Sequence, residues 1–179
     1  MPFFAQKGLT ALLSKEAIQQ RVAELGRRIT ADYAPLNGDL VLVGILKGSF
    51  VFFADLARAI DLPLTVDFVG LSSYRGADTS PGGLRLTQDL SSSVTGQHVL
   101  VVEDIVDTGF TMQFLLEHLA AQRPVSLRLA ALLAKPERSR VDVHIDYLGF
   151  SIADHFVVGY GLDYESKYRN LPFVGVIEP

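Results

Sequence analysis

The apolar residues Ile18, Val22, Leu25 and Ile29 recur at spacings of four, three and four, which puts them on one face of a helix running from 14 to about 33. The pattern then changes. The stretch LVLVGIL at 40–46 is an unbroken apolar run, suited to a strand buried on both faces of a parallel sheet. KGS turns the chain, with Ser49 placed to cap a helix through FVFFADLARAI. Leu64, Val66 and Phe68 alternate with Thr65 and Asp67 as far as Gly70, a half-buried strand pattern, and the polar SSYRGADTSPGG after it makes a long loop. LRLTQDL predicts a further strand, 98–102 the central one, 111 to about 122 a helix with Leu115, Leu116 and Leu119 inward, and SLRLAALLAK another strand. From about Val141 the pattern breaks into short strands at HFVVGYG and FVGVI with turns between them, a small lobe over the edge of the sheet. Crossovers through helices imply parallel pairing. The fold expected is therefore α/β, an open, mainly parallel sheet with helices on both faces, in a single domain spanning 1–179.

Composition narrows the class. The chain has 179 residues, 49% hydrophobic and 20% charged, enough for one real core without staples. No apolar run approaches the roughly 18 residues that cross a membrane, and MPFFAQKGLTALLSKEA lacks the basic leader, apolar segment and cleavage site of a signal peptide. The absence of cysteine excludes disulfides and thiolate metal sites and fits a reducing, cytoplasmic location. A net charge of −4 argues against nucleic acid as the main partner. An anionic ligand would then need local help, such as a metal.

The chemistry concentrates in VLVVEDIVDTGFT, where apolar residues run into Glu103 and Asp104, then Asp107, then TGFT. In an open parallel sheet ligands bind beyond the carboxyl ends of the strands. Successive residues of an extended segment point to opposite faces, so Glu103 and Asp104 need not crowd each other, while Asp107 lies in the turn beyond. Carboxylates there can accept from sugar hydroxyls or hold a hard cation such as Mg²⁺. DTGFT opens a helix, and the free N–H groups of its first turn, the helix dipole and two threonine hydroxyls suit a phosphate. Acids beside a phosphate cradle point to a phosphorylated sugar. GILKGSF lacks Walker spacing and GYGLDY lacks the third glycine of a dinucleotide fingerprint, so ATPase and dehydrogenase readings lose support.

VLVVEDIVDTGFT resembles the phosphoribosyl-diphosphate-binding motif of the type I phosphoribosyltransferases. LKGS at 46–49, SSY at 72–74, AKPERS from Ala134 and HFVVGYGLDYESKYRNLP from His155 resemble its 6-oxopurine, or hypoxanthine-guanine, branch. These matches run in order through nearly the whole chain from about residue 10. Phe110 departs from the pattern, since that position is basic in some relatives.

The resemblance implies the type I phosphoribosyltransferase fold, with a core of about 35–140 and a hood formed by about 141–179 and the N-terminal segment. It implies a purine salvage enzyme that moves the 5-phosphoribosyl group of phosphoribosyl diphosphate to N9 of hypoxanthine or guanine, giving IMP or GMP and pyrophosphate. By the same resemblance Glu103 and Asp104 are the ribose-binding acids, and Asp107 is the proton acceptor near N7 of the purine or a group that positions it. The 5′-phosphate falls to Asp107, Thr108, Gly109, Phe110 and Thr111. Pyrophosphate falls to Lys47 and Gly48, with a non-proline cis peptide between Leu46 and Lys47, and to Ser73, Tyr74 and Arg169. For the purine the resemblance names Lys135 as donor to the 6-oxo group, Phe156 as the stacking ring and the backbone of Val157 along the base edge, with Leu162 and Asp163 beside them. Mg²⁺ is the implied cofactor, with Glu103, Asp104 and Asp163 as its acids, and the family's habit is a homodimer or homotetramer. An RNA-binding regulator on the same fold would need a basic face, which 16 Lys and Arg against 20 Asp and Glu do not announce. Xanthine stays open as an alternative base.

Overall fold

A computed structural model describes residues 8–73 and 83–177 of the chain. Six strands form the main sheet in the order β4-β3-β2-β5-β6-β7: β2 (Leu40–Leu46), β3 (Leu64–Ser73), β4 (Leu84–Gln88), β5 (His98–Val106), β6 (Ser126–Ala134) and β7 (Tyr147–Ser151). All neighbours are parallel except β3 and β4, which pair antiparallel at one edge. Helices α1 (Lys15–Tyr33) and α2 (Phe50–Ala59) cover one face and α3 (Phe110–Ala120) the other. The alternation of the strands decides which core each residue joins. Leu40, Leu42, Leu100 and Val102 pack with Ile18, Val22, Leu25, Ile29, Phe52 and Leu56 of α1 and α2, whereas Val41, Val43, Val99 and Val101 pack with Met112, Leu115 and Leu119 of α3. Each face is thus a separate apolar layer, and a one-residue slip of either central strand would exchange the two sets. Leu116 is only half buried, and Met112 takes the inward place beside Leu115 and Leu119.

The α1 helix starts as its pattern requires, with the Ser14 hydroxyl accepting from the N–H of Ala17. Ser49 does not cap α2 in that way. Its hydroxyl donates instead to the carbonyl of Ile45, which ties the turn back onto β2 and satisfies a hydroxyl that is fully buried. Val66 also breaks its expected alternation, being 53% exposed.

The strand β7 belongs to the main sheet, parallel to β6, so that sheet runs past the boundary near residue 140. The hood is a second, three-stranded antiparallel sheet in the order β1-β9-β8, made of β1 (Leu9–Leu13), β8 (Val157–Val158) and β9 (Val174–Ile177). Its Val157, Tyr160, Leu162 and Val174 join the same apolar layer as α1 and α2. The hood therefore sits on that face of the sheet rather than on its edge. Among the described residues no helix is long and apolar enough to cross a membrane.

Candidate active site

The two central strands diverge in length where the acids lie. Pairing of β5 with β2 stops at Val102, opposite Gly44, but pairing with β6 continues to Val106, opposite Ala134. Glu103 and Asp104 are therefore inside β5, not past its end, and both are buried. Beyond Val102 the β2 side of the strand is open, and the turn after β2 closes over it. A Cβ on Gly48 would overlap the Asp104 carboxylate, so only glycine lets the backbone pass there. The peptide between Leu46 and Lys47 is cis. Asp104 is held by the N–H of Ile105, which donates to its Oδ1 at 2.8 Å. At this point the alternation slips: Ile105 packs with the α1/α2 layer and Val106 with the α3 layer, the reverse of the order set by Val99 to Val102.

Glu103 and Asp104 open onto different spaces. Asp104 lines a cleft of about 600 Å³ together with Lys47, Gly48, Asp107, Lys135, Phe156, Val157, Leu162, Asp163 and Arg169, all named by the sequence, and with Arg138, which was not. Glu103 lines a smaller adjoining cavity of about 90 Å³ with Asp107, Thr108, Gly109 and Thr111. The expected trio of metal acids is accordingly divided: Asp104 and Asp163 share the cleft, Glu103 does not, and no group of three or more His, Cys, Asp or Glu among the described residues could hold a metal ion. Asp107 belongs to both spaces.

The smaller cavity has the build of an anion cradle. Gly109 takes φ 90° at the start of α3, and the carbonyl of Thr108 accepts from the N–H groups of Arg140 and Val141 at 3.0 and 3.2 Å, so the turn is braced from behind. Phe110 is exposed. Burial, and after it the adjacent Asp104, push the Glu103 carboxyl well above the ordinary glutamate range. Its Oε2 is buried without a hydrogen-bond partner, an acceptor or donor held ready for a ligand hydroxyl.

On the far wall Lys135 directly follows β6 and is buried, with its ammonium 3.1 Å from Oδ1 of Asp154. Hydrogen bonds from Lys135, and to a lesser degree from Arg138, hold the exposed Asp154 carboxyl below its ordinary range. Nε of Arg138 lies 2.8 Å from Oδ1 of Asp107, but that N–H is not aimed at the oxygen, which accepts no hydrogen bond. Phe156 is 47% exposed and edge-on to Tyr164 with centroids 5.6 Å apart, so it is a cleft wall and not core. Val157 is on β8, the outer strand of the hood sheet, which leaves one backbone edge for a ligand. Arg169 donates to the carbonyl of Gly161 and lies 2.6 Å from Asp163. A Cβ on Gly161, φ 103°, would overlap the Gly48 carbonyl, so this hood turn rests directly on the turn after β2. Ser73 closes β3, and Tyr74 lies outside the described residues.

Residues 8–165 match the phosphoribosyl transferase domain family. The chain belongs to that family. It is 45% identical over 174 residues to the hypoxanthine-guanine phosphoribosyltransferase of Mycobacterium avium, covering 95% of this chain and 86% of that protein. The crystal structure of a hypoxanthine phosphoribosyltransferase from Staphylococcus aureus is similar with a TM-score of 0.88 at 45% identity, covering 95% of this chain and 91% of that one. The Trypanosoma cruzi hypoxanthine phosphoribosyltransferase in complex with the product IMP is similar with a TM-score of 0.88 at 42% identity, covering 94% of each chain. This phosphoribosyltransferase thus carries its family's motif on β5 and α3.

Proposed function

We propose that this chain is a 6-oxopurine phosphoribosyltransferase that transfers the 5-phosphoribosyl group of phosphoribosyl diphosphate to N9 of hypoxanthine or guanine, releasing pyrophosphate and forming IMP or GMP. The observation that carries it is that Phe156, Lys135, Asp107, the Lys47–Gly48 turn and Arg169 line one cleft. The relatives named above bear that activity in their names, and one of them holds IMP.

The reaction breaks the bond from the anomeric carbon to pyrophosphate as N9 bonds to the same carbon, and the proton displaced from the base leaves with an acceptor. Positive charge grows on the sugar and negative charge on the leaving group. Asp104 beside the ribose favours the first. Lys47, Arg169 and the backbone around Gly48 take up the second, and the 5′-phosphate sits against Thr108, Gly109, Phe110 and Thr111 with the helix N-terminus behind it. Glu103 takes a ribose hydroxyl through its unpartnered oxygen. Asp107 accepts the purine's proton; its Oδ1 is ion-paired with Arg138 but accepts no hydrogen bond. Lys135 donates to the 6-oxo group, Phe156 stacks, and the outer edge of β8 at Val157 reads the base edge with Leu162 behind it. Asp163, with Asp104 across the cleft, supplies hard carboxylate oxygens of the kind Mg²⁺ uses alongside substrate phosphates. Bound there, the ion would neutralise charge on the pyrophosphate. The enzyme is cytoplasmic and works as a homodimer or homotetramer, which sedimentation of the purified protein would distinguish.

The test is a steady-state assay against hypoxanthine, guanine, xanthine and adenine with phosphoribosyl diphosphate and Mg²⁺, repeated in excess chelator. Lys135 is a donor with no acceptor and meets the amino group of adenine donor to donor, a mismatch that can discriminate by about 10⁴. Adenine turnover within tenfold of hypoxanthine, or full activity in chelator, would overturn the reading. A preference for xanthine would move the base and keep the reaction.

A further inference from the structure

Lys135 carries its charge into a nearly closed environment, its side chain only 8% exposed, and an ammonium there has three N–H directions and a flexible stem. Something must aim it. The only acid within ion-pair distance of it among the described residues is Asp154, through Oδ1 at 3.1 Å. Asp154 stands in the connection between β7 and β8, and that connection is pinned beside the end of β6 by the N–H of Ile152 donating to the carbonyl of Ala134. The same Oδ1 also faces Nη1 of Arg138 at 3.4 Å. Both cations reach one oxygen because Pro136–Arg138 is a single 3₁₀ turn, in which side chains three residues apart eclipse one another. Arg138 in turn places its Nε against Asp107. Four charged groups, Lys135, Asp154, Arg138 and Asp107, therefore run in sequence along one wall of the cleft, from the donor to the acceptor that the purine would bridge.

We propose that Asp154 is a positioning residue for base recognition: it aims the Lys135 ammonium at the 6-oxo edge of the purine, and Arg138 holds Asp154 in place from the side of Asp107. This rests on the 6-oxopurine reading of the cleft. Asp154 need not touch the substrate. Its effect falls on the base, because Asp154 and Lys135 pair with each other and not with Lys47, Arg169 or Asp163, the side chains that face pyrophosphate. Without its carboxylate the ammonium keeps its charge but loses its direction, and a charge-assisted hydrogen bond with the wrong angle is worth little.

The experiment measures KM for hypoxanthine and for phosphoribosyl diphosphate separately in the wild type and in Asp154→Ala, Asp154→Asn, Asp154→Glu and Arg138→Met. Wild-type turnover of hypoxanthine establishes the underlying reading before any variant is compared, and its absence would overturn that reading and this inference together. With an active wild type, Asp154→Ala should raise the KM for hypoxanthine roughly tenfold. Asp154→Asn, which keeps shape and one acceptor, should raise it less, and Asp154→Glu should restore most of it. The KM for phosphoribosyl diphosphate should stay within about twofold throughout. Combining Arg138→Met with Asp154→Ala should raise the hypoxanthine KM little beyond Asp154→Ala alone, since Arg138 reaches that ammonium through Asp154, while its contact with Asp107 would show in kcat. Two results would each sink the inference while leaving the enzyme's function standing: an unchanged hypoxanthine KM in Asp154→Asn and Asp154→Ala, or equal rises in both KM values.

Discussion

The two walls of the cleft are built by different means. The sheet wall, with Asp104, Glu103 and the turn before α3, is an extension of the apolar layers: its acids continue a strand whose Val99, Leu100, Val101 and Val102 are completely buried, and Gly48 fits against Asp104 with no room for a Cβ. The hood wall is held by charge. Lys135 to Asp154 and Arg138 to Asp107 are ion pairs between separate segments, and Arg169 to Asp163 is one within the connection between β8 and β9, several of them half exposed and hence weak one by one. The lesson is a division of labour. Packing fixes the wall where the sugar reacts, and adjustable ion pairs line the wall where the base enters, so substitutions on the two sides should fail differently.

The largest effect belongs to Asp107, which serves both walls. Asp107→Asn keeps the side chain's shape but cannot take a proton, so kcat should fall by roughly 10² to 10⁴ with the binding of phosphoribosyl diphosphate largely intact. A twofold loss would remove it from the catalytic residues. Next is Gly48→Ala. The added methyl must displace either the Asp104 carboxylate or the turn, and a shift of about 1 Å at a reacting centre costs on the order of 10² in rate. If Gly48→Ala raised the KM for the base alone, the turn would belong in function to the wall that binds the base.

Lys135→Ala should be milder in rate and sharper in selectivity. Loss of a charge-assisted hydrogen bond, about 1.5–3 kcal/mol, corresponds to a fall of roughly 10 to 10² in kcat/KM for hypoxanthine. Adenine should gain little, since removing a repelling donor supplies no new partner. Measuring kcat/KM for hypoxanthine, guanine and adenine in both proteins decides it, and a large gain for adenine would contradict the expected role.

The same division explains what the sequence shows and what it hides. Strand β2 is legible to the residue, Leu40–Leu46, because a strand buried on both faces has no choice but to be apolar throughout. The start of α1 is legible because Ser14 is a local cap. By contrast β5 runs to Val106 although its acids read as its end: pairing with β6 continues where pairing with β2 has stopped, and no local pattern reports on which side a neighbour leaves. For the same reason the even separation of Glu103 and Asp104 was visible from strand geometry, but not that Glu103 would open onto the phosphate cavity. Strand β7 is missed where polar DVHID precedes it and no helix leads in. Arg138 and Asp154 are hidden most deeply. They sit within readable stretches, AKPERS and the segment before Phe156, but their partners are 31 and 19 residues away, at Asp107 and Lys135, and ion pairs at such separations leave no period in the sequence.

The smallest predicted effect tests the sheet wall through its stability. Glu103 has its folded-state pKa raised above the unfolded value by burial first and then by Asp104. Between the ordinary glutamate range, near 4.3, and that raised value, the folded protein binds a proton that the unfolded chain has released, so folding stability falls as pH rises through this window. Above it the penalty is complete and constant. Glu103→Gln removes the titration, so its melting temperature should gain on the wild type as pH is raised from about 4.5 to 8, by about 2–4 °C for each kcal/mol relieved in a chain of this size, while its activity drops. Any fixed cost of a buried amide subtracts equally at both pH values and cancels in the comparison. If the two melting curves of Glu103→Gln and wild type keep a constant separation between pH 4.5 and 8, the buried carboxyl is not the strained member of the sheet wall.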